Sequence, residues 1–235
     1  MCQLNLMNAV RLTSRLTADE RRQSIINAVI GLFAEKGFDG TTTRELAQAA
    51  GISEALLFKH FPSKHSLYVA VLEACALEPG YAELVSNRIL SRGPSSSTLV
   101  LMIHFMMTHF IKGPDANKSG MERLAVQSLL SDGEFLRMSI SNVADTWVRK
   151  FEDCLTAAAD AGDLRETPVR SNLRLWFAHH IAFSLMLHLR LPSVPAIDYQ
   201  VSKDELIEQA SWFTLMGLGM KEEAIKRLYD VKSIA

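Results

Sequence analysis

The side chains best suited to chemistry lie on a short predicted helix, Glu54–Phe61. A turn containing Gly51 precedes this helix, and another short helix, Thr42–Ala50, precedes the turn. Two short helices joined by a glycine-containing turn form a helix-turn-helix, whose second helix contacts bases in the major groove of DNA. The pattern by itself predicts either contact with nucleic acid or a structural helical hairpin that does not touch nucleic acid. The side chains that the second helix presents outward, with the one at its end, are Ala55, Phe58, Lys59 and His60.

An enzyme is the main alternative class, and the residue pattern does not favour it. His179 and His180 are adjacent, so on a helix they point about 100° apart, and no two histidines stand four residues apart as helical zinc ligands do. The sequence contains no motif of the zinc proteases, serine hydrolases or P-loop enzymes. Cys2, Cys75 and Cys154 are scattered and form no C-x-x-C pair. We therefore expect no catalytic residue, no metal site and no cofactor.

Capping residues mark the helices that must position the outward face. The segments Thr17–Glu20 and Thr42–Glu45 are typical capping boxes, in which threonine and glutamate side chains bind each other's backbone amides. Gly37 is predicted to end the first helix in a left-handed conformation, and Ser53 and Ser63 suit the N-caps of the third and fourth helices. Four helices then fit within the first third of the chain. Two of them are too short to persist alone, so the four must pack as a unit.

Small and apolar residues predict how the two helices of the helix-turn-helix pack. Ala47 allows a close crossing of the two helices, and Gly51 tolerates the positive φ that the turn requires. We expect the two helices to share one apolar seam. The residues of this seam are Leu46, Ala50, Ile52, Leu57 and Phe61.

The composition is that of a globular chain with a packed core. Of the 235 residues 48% are hydrophobic and 22% are charged, and strand patterns are nearly absent, which predicts an all-α fold. Lys and Arg total 25 against 26 Asp and Glu, so net charge indicates no particular partner. The segment Thr98–Ile111 is too short to span a membrane, and Leu175–Leu191 carries three histidines and an arginine. We expect a soluble, cytoplasmic protein without a membrane partner.

The sequence resembles the TetR-type (TetR/AcrR) family of transcriptional regulators. The matching runs are Phe38–Ala47, Ala50–Ser53 and Leu57–Lys64, in which the caps, the turn glycine, the aromatic pair and Pro-Ser-Lys follow the family's spacing. The resemblance extends from about Glu20 to Leu77, and beyond it only the architecture is similar. It implies a three-helix, homeodomain-like helix-turn-helix head followed by a helical effector and dimerisation domain. We expect a flexible leader at 1–17, in which Arg11 and Arg15 could instead form an arm in the minor groove, a DNA-binding domain at 18–78 and a C-terminal domain at 79–235.

The resemblance also implies which residues bind DNA. Arg44 matches a position that reaches DNA from the preceding helix. Ala55 and Leu56 match positions that touch base edges, where an apolar group packs on a thymine methyl. His60 and Lys64 match positions that contact phosphates. The full implied set is Thr42, Thr43, Arg44, Ser53, Glu54, Ala55, Leu56, Phe58, Lys59, His60 and Lys64.

Two residues of this set need a separate explanation. Phe58 stands where the family commonly has tyrosine, so one phosphate hydrogen bond is lost and the ring is expected to pack on the sugar-phosphate wall. Glu54 would repel phosphate, so we expect it to face a cytosine amino group or solvent.

The C-terminal domain is predicted to bind a small, largely apolar effector. The segment Thr98–Ile111 is apolar nearly all round, which indicates burial on several sides. Methionines and aromatic residues with a few histidines suit an apolar ligand, although ordinary core packing remains the alternative for each residue. The candidate lining residues are Met102, Phe105, Met106, His109, Trp147, Phe151, Phe177 and His180.

Helices within 171–191 and 203–219 are predicted to form a homodimer. The first is apolar on too many faces to be covered by its own chain, and the second carries Leu206, Ala210, Phe213 and Gly217 along one stripe. Packing inside one monomer stays an alternative. We therefore expect a dimeric repressor that leaves a palindromic double-stranded DNA operator when its effector binds. The other open hypothesis is a DNA-binding architectural or division-linked protein without a small-molecule effector.

Overall fold

The computed structural model describes residues 16–76, 86–113, 119–131 and 133–230. Within these ranges the fold is all-α, as predicted, and the only extended pairing is an isolated bridge between Leu164 and Met220. Most of the predicted leader, residues 1–15, and the predicted domain boundary near residue 78 lie outside the described residues.

The helices follow one another along the chain with a short π-helical turn, Ser86–Leu90, between the fourth and the fifth. Among the described residues no helix has both the length and the apolar character that a membrane span needs. The helices are α1 (Ala18–Lys36), α2 (Thr43–Ala49), α3 (Glu54–His60), α4 (Lys64–Ala76), α5 (Ser96–Lys112), α6 (Ser119–Leu129), α7 (Glu134–Asp160), α8 (Ser171–Leu189), α9 (Lys203–Gly217) and α10 (Glu222–Leu228).

The predicted caps begin the first helices. Both capping boxes are complete. The hydroxyls of Thr17 and Thr42 accept from the amides of Glu20 and Glu45, and each glutamate carboxylate accepts from the backbone amide of its threonine. Ser53 caps α3 by accepting from the amide of Leu56 at 3.2 Å. Gly37 ends α1 with a positive φ of 72°, but its ψ of 179° is extended and not the left-handed helical value. These local interactions fix where α1, α2 and α3 begin.

Helix α5 forms the centre of the C-terminal part of the chain. Helices α7, α8, α9 and α10 all pack against it, which explains why its sequence is apolar nearly all round. Ser95 caps α5 through the amide of Thr98 at 3.1 Å, and Leu99, Met107 and Ile111 are fully buried. One hydrophobic core therefore surrounds α5 on several sides.

A second core belongs to the head, the unit formed by α1–α4, but it also includes part of α6. Leu124 and Ala125 of α6 are buried in the same cluster as Val29 and Phe33 of α1. At the end of α1, a Cβ atom on Gly37 would lie only 2.8 Å from Nε2 of Gln127, so the two helices approach closely here. The division of the chain at residue 78 stays a prediction, and the buried cluster of the head crosses that position.

A buried ion pair joins α6 to the core around α5. Arg190, just after α8, pairs with Glu122, and the two side chains are only 13% and 12% exposed. The guanidinium also donates to the carbonyls of His109 and Phe110 at the end of α5, at 3.4 Å each. Burial raises the pKa of Glu122, and Arg190 beside it opposes that rise. Removing one partner would leave a buried charge without compensation, so this contact strongly constrains α6.

The shared core predicts that a residue of α6 stabilises the head. Leu124→Ala should lower the free energy of unfolding by about 2–5 kcal/mol, because it leaves a cavity beside α1. Urea denaturation followed by circular dichroism measures the loss. Leu130→Ala is the control, since Leu130 follows the same helix and is 78% exposed, so its change should stay within about 0.5 kcal/mol. Equal losses in the two variants would contradict the shared core.

Candidate nucleic-acid interface

The turn between α2 and α3 has the geometry that a helix-turn-helix requires. Gly51 has a φ of 64°, a left-handed value that residues with a side chain rarely adopt. Any other residue would be strained here, even though no atom lies within 4 Å of the position that its Cβ would take. The amide of Gly51 donates to the carbonyl of Gln48 at 3.1 Å, and that of Ile52 donates to the carbonyl of Ala47 at 3.0 Å. Ala47 is 3% exposed. The predicted turn and the predicted small crossing residue are both confirmed.

The apolar seam forms as predicted and anchors α3. Leu46, Leu57 and Phe61 are buried almost completely, and Ala50 and Ile52 pack against the same cluster. Helix α3 thereby contacts both α2 and α1. Because Leu57 and Phe61 face the core, the residues on the opposite side of α3 must face solvent.

The outward face of α3 contains the predicted residues. Ala55, Phe58 and Lys59 are exposed, and Phe58 keeps 42% of its surface accessible. Leu56 and His60 are half-buried at the edges of this face. A small apolar side chain, an aromatic ring and a lysine thus lie together on a free helix surface, which suits contact with base edges and phosphates.

The remaining predicted residues of α2 and the turn have mixed environments. Arg44 and Ser53 are exposed, and the hydroxyl of Thr42 is used in the capping box. The hydroxyl of Thr43 donates to Oε2 of Glu54 at 2.8 Å. This bond links the beginning of α2 to the beginning of α3. It holds the carboxylate of Glu54, a residue that remains exposed to solvent.

Lys64 has a different environment from the one expected of a phosphate ligand. Its Nζ donates to the carbonyls of Phe38 and Thr41 at 2.6 and 2.8 Å, and it lies 4.2 Å from the centre of the Phe38 ring. These carbonyls lie in the turn between α1 and α2, and that of Phe38 also accepts from the amide of Thr41 at 3.3 Å. The structure therefore directs the ammonium group of Lys64 into the head.

Sequence reasoning missed Arg22, which touches the end of α3. Its guanidinium donates to the carbonyl of His60 and lies 4.2 Å from the centre of the Phe61 ring. The two bonded residues are 38 positions apart, so no local pattern in the sequence marks the contact.

The sequence of the head matches a known protein family. The family model for bacterial regulatory proteins of the tetR family matches residues 25–71, which run from α1 into α4. The N-terminal domain is of the TetR type. In this TetR-type domain, the geometry of α2 and α3 is the helix-turn-helix that the resemblance in the sequence implies.

Individual relatives match the same part of the chain. The transcriptional activator FasR of Mycolicibacterium smegmatis is 40% identical over 60 residues, which are 26% of this chain and 27% of FasR. The negative regulator IcaR of the biofilm operon icaADBC of Staphylococcus aureus is 43% identical over 54 residues, 23% of this chain and 29% of IcaR. The chain therefore matches less than a third of the length of either relative, and both relatives are regulators of transcription.

The whole architecture also has a solved counterpart. The structure of AibR in complex with isovaleryl coenzyme A and operator DNA superposes with a TM-score of 0.59 at 16% identity. The superposition covers 86% of this chain and all of AibR. This likeness shows that the two proteins share an all-helical fold, which includes the part of the chain that follows the TetR-type domain.

The predicted effector-binding residues divide between the core and the surface. Met102 and Met106 of α5 and Phe151 of α7 are buried in one cluster, and Phe105 and Trp147 pack against that cluster. The ring of His109 lies against Phe110. Phe177 and His180 instead lie exposed on α8. An open groove between α7 and α8, at 159, 164–168 and 174, contains none of the eight residues.

His179, which sequence reasoning did not select, carries a buried polar atom among aromatic rings. Its ring contacts Phe110, Trp176 and Phe183. Within the described residues its buried Nδ1 has no hydrogen-bond partner, and neither has Oγ1 of Thr108 on α5. Burial, with a smaller effect of His180, lowers the pKa of His179 to about 4, so the ring is neutral at pH 7.

The start of α2 predicts an acid-sensitive contact. The hydrogen bond from Lys36 at 2.6 Å, followed by the bonds from Thr42, lowers the pKa of Glu45 to about 2. A lowered carboxyl pKa stabilises the fold above the ordinary glutamate pKa, and this contribution disappears as the pH falls towards 2. A carboxyl-carbon NMR titration should show the low value, and Lys36→Met should raise it. An ordinary glutamate pKa in the unmodified protein would contradict the contact.

Proposed function

We propose that this chain is a dimeric, sequence-specific DNA-binding regulator of transcription that responds to a small, largely apolar effector. The observation that carries the proposal is the exposed face of α3, held outward by the buried seam of Leu57 and Phe61. In a dimer two such helices enter successive major grooves about 34 Å apart on a palindromic operator. The sense of regulation proposed is repression, as in IcaR, although FasR is an activator.

The outward residues of α2 and α3 have separate proposed roles. Ala55 and the exposed part of Leu56 pack on base edges such as a thymine methyl, and Phe58 lies against the sugar-phosphate wall. Lys59 and Arg44, both exposed, supply positive charge to the phosphates. Thr42, Thr43, Ser53, Glu54 and His60 complete the proposed interface, whereas Lys64 supports it from inside the head through the carbonyls of Phe38 and Thr41.

The apolar surface of α8, α9 and the loop between them supports dimerisation. Of the eleven large apolar side chains that are exposed in the described residues, seven belong to this region. On α9 the predicted stripe divides: Ala210 is buried in the chain's own core, whereas Phe213 is 69% exposed. A surface of this kind suits a second copy of the same chain. The seven residues are Leu173, Phe177, Val194, Ile197, Val201, Phe213 and Met216.

The surroundings of α5 support a site for the effector. Methionine and aromatic side chains there would contact its apolar part, and the unpartnered atoms of Thr108 and His179 would bind a polar group. AibR, which shares the fold, is bound to isovaleryl coenzyme A and operator DNA in its structure. Exposure of Phe177 and His180 fits the dimer surface better than the effector site.

Coupling between effector and DNA would pass through α4 and α6. Helix α4 packs on both α1 and α7, and α6 packs on both α1 and α7. An effector that favours another orientation of these helices would change the separation of the two heads in the dimer. A coupling of about 1–3 kcal/mol would weaken operator binding about 5–150-fold.

Selection of bound duplexes from a random DNA pool tests the proposed function. The recovered sequences should be palindromic, with half-sites about one helical turn apart. Ala55→Asp should weaken binding to the selected duplex at least about tenfold, because the carboxylate repels phosphate and cannot pack on a base. Ala161→Asp, at an exposed position after α7, is the matched control and should bind as the unmodified protein does. Recovery of no preferred sequence would contradict the proposal.

The dimer surface is tested by placing a charge on it. Phe213→Glu should convert the dimer to a monomer in sedimentation analysis. Dimerisation would bury the new carboxylate without a partner, which is strongly unfavourable, whereas in the monomer it stays in water. Leu130→Glu introduces the same charge at another exposed leucine and should leave the dimer intact. A monomeric unmodified protein, or a dimeric Phe213→Glu variant, would rule out this surface.

A further inference from the structure

The contact between Arg22 and the end of α3 has a specific consequence for the outward face. The last carbonyls of a helix have no partner within the helix, and a cation near them is favoured by the helix dipole. Arg22 of α1 supplies both a donor and a positive charge to the carbonyl of His60, the last residue of α3. The bond is half-buried, and it fixes the end of α3 from outside the helix-turn-helix.

Arg22 also binds the apolar side of the same helix end. Its guanidinium carbon lies 4.2 Å from the centre of the Phe61 ring, and Phe61 is 1% exposed in the head core. A planar guanidinium can stack on an aromatic ring and donate hydrogen bonds from its edge at the same time, which an ammonium group cannot do. The side chain is therefore held at two points and its charge is directed towards the protein.

The opposite end of α3 is held by another bond. The hydroxyl of Thr43 on α2 donates to the carboxylate of Glu54, the first residue of α3. With Arg22 at His60, each end of this two-turn helix is bonded to a neighbouring helix. Since so short a helix has little stability of its own, such bonds determine its orientation.

We infer that Arg22 is a positioning residue for α3, and that it orients the outward face without contacting phosphate itself. The inference rests on the proposed function, because it assigns Arg22 a role in DNA recognition through α3. A phosphate ligand would contribute to binding of every duplex and to its salt dependence. A positioning residue would instead contribute mainly to discrimination between the selected duplex and other sequences.

The first measurement needs no DNA. Arg22→Met keeps a long side chain but removes the charge and the donors, so amide hydrogen exchange in the last turn of α3 should become roughly tenfold faster. Arg21→Met is the matched control, because it removes the same charge from the neighbouring position of α1 and should leave the exchange of α3 unchanged. Unchanged exchange in Arg22→Met would overturn the inference even if the protein bound no DNA.

The second measurement compares affinities for the selected duplex and for a scrambled duplex over a range of salt concentrations. Arg22→Met should lower affinity for the selected duplex about tenfold and leave both the scrambled-duplex affinity and the salt slope unchanged. Lys59→Met is the comparison for a phosphate contact, and it should weaken both duplexes and reduce the salt slope by about 1. A slope reduced in Arg22→Met as in Lys59→Met would show a phosphate contact and overturn the inference.

Arg22→Lys provides the decisive variant if Arg22→Met does not fold. It keeps the charge, so a phosphate role predicts nearly unchanged affinity for both duplexes, whereas a positioning role predicts a loss for the selected duplex alone. If the unmodified protein prefers no duplex, the proposed function fails, and hydrogen exchange in α3 still decides whether Arg22 holds the helix.

Discussion

The packing of Leu57 and Phe61 against α1 and α2 decides which side chains of α3 remain in solvent. Both residues are buried in the head core, and a two-turn helix anchored on one side has only the other side available for a partner. Gly51 makes this packing possible, because its positive φ turns the chain sharply enough for α3 to pack against α2, where Ala47 is buried. The arrangement of Ala55, Phe58 and Lys59 on a free surface is a consequence of that burial.

The head depends on the C-terminal part of the chain for its own core. Leu124 and Ala125 of α6 complete the cluster around α1, and the buried pair of Glu122 and Arg190 holds α6 against the core around α5. Interiors are closely packed, so a change around α5 that displaced α6 would disturb α1 as well. The proposed response to an effector therefore has a contiguous physical connection to α3, through α6, α1 and the seam.

Much of the head could be predicted from the sequence because its determinants are local. The two capping boxes, Ser53, Gly51 and the five seam residues depend on neighbours within a few positions, and the structure contains them all. Contacts between distant segments could not be predicted in this way. Arg22 with His60, Lys64 with the turn after α1, and Leu124 in the head core depend on how helices pack, which no spacing in the sequence specifies. His179 and His180 show the same limit: their types are identical, and only the orientation of α8 leaves one half-buried and the other exposed.

The proposed function requires the outward face of α3 to enter a groove of duplex DNA. Backbone amide NMR signals, followed while the selected duplex is added, report which residues meet the DNA. We expect the largest changes at residues 53–60, smaller changes at 42–44, and none on α8 and α9. Large changes confined to surfaces outside the head, with the signals of Ala55, Phe58 and Lys59 unmoved, would contradict the proposed function.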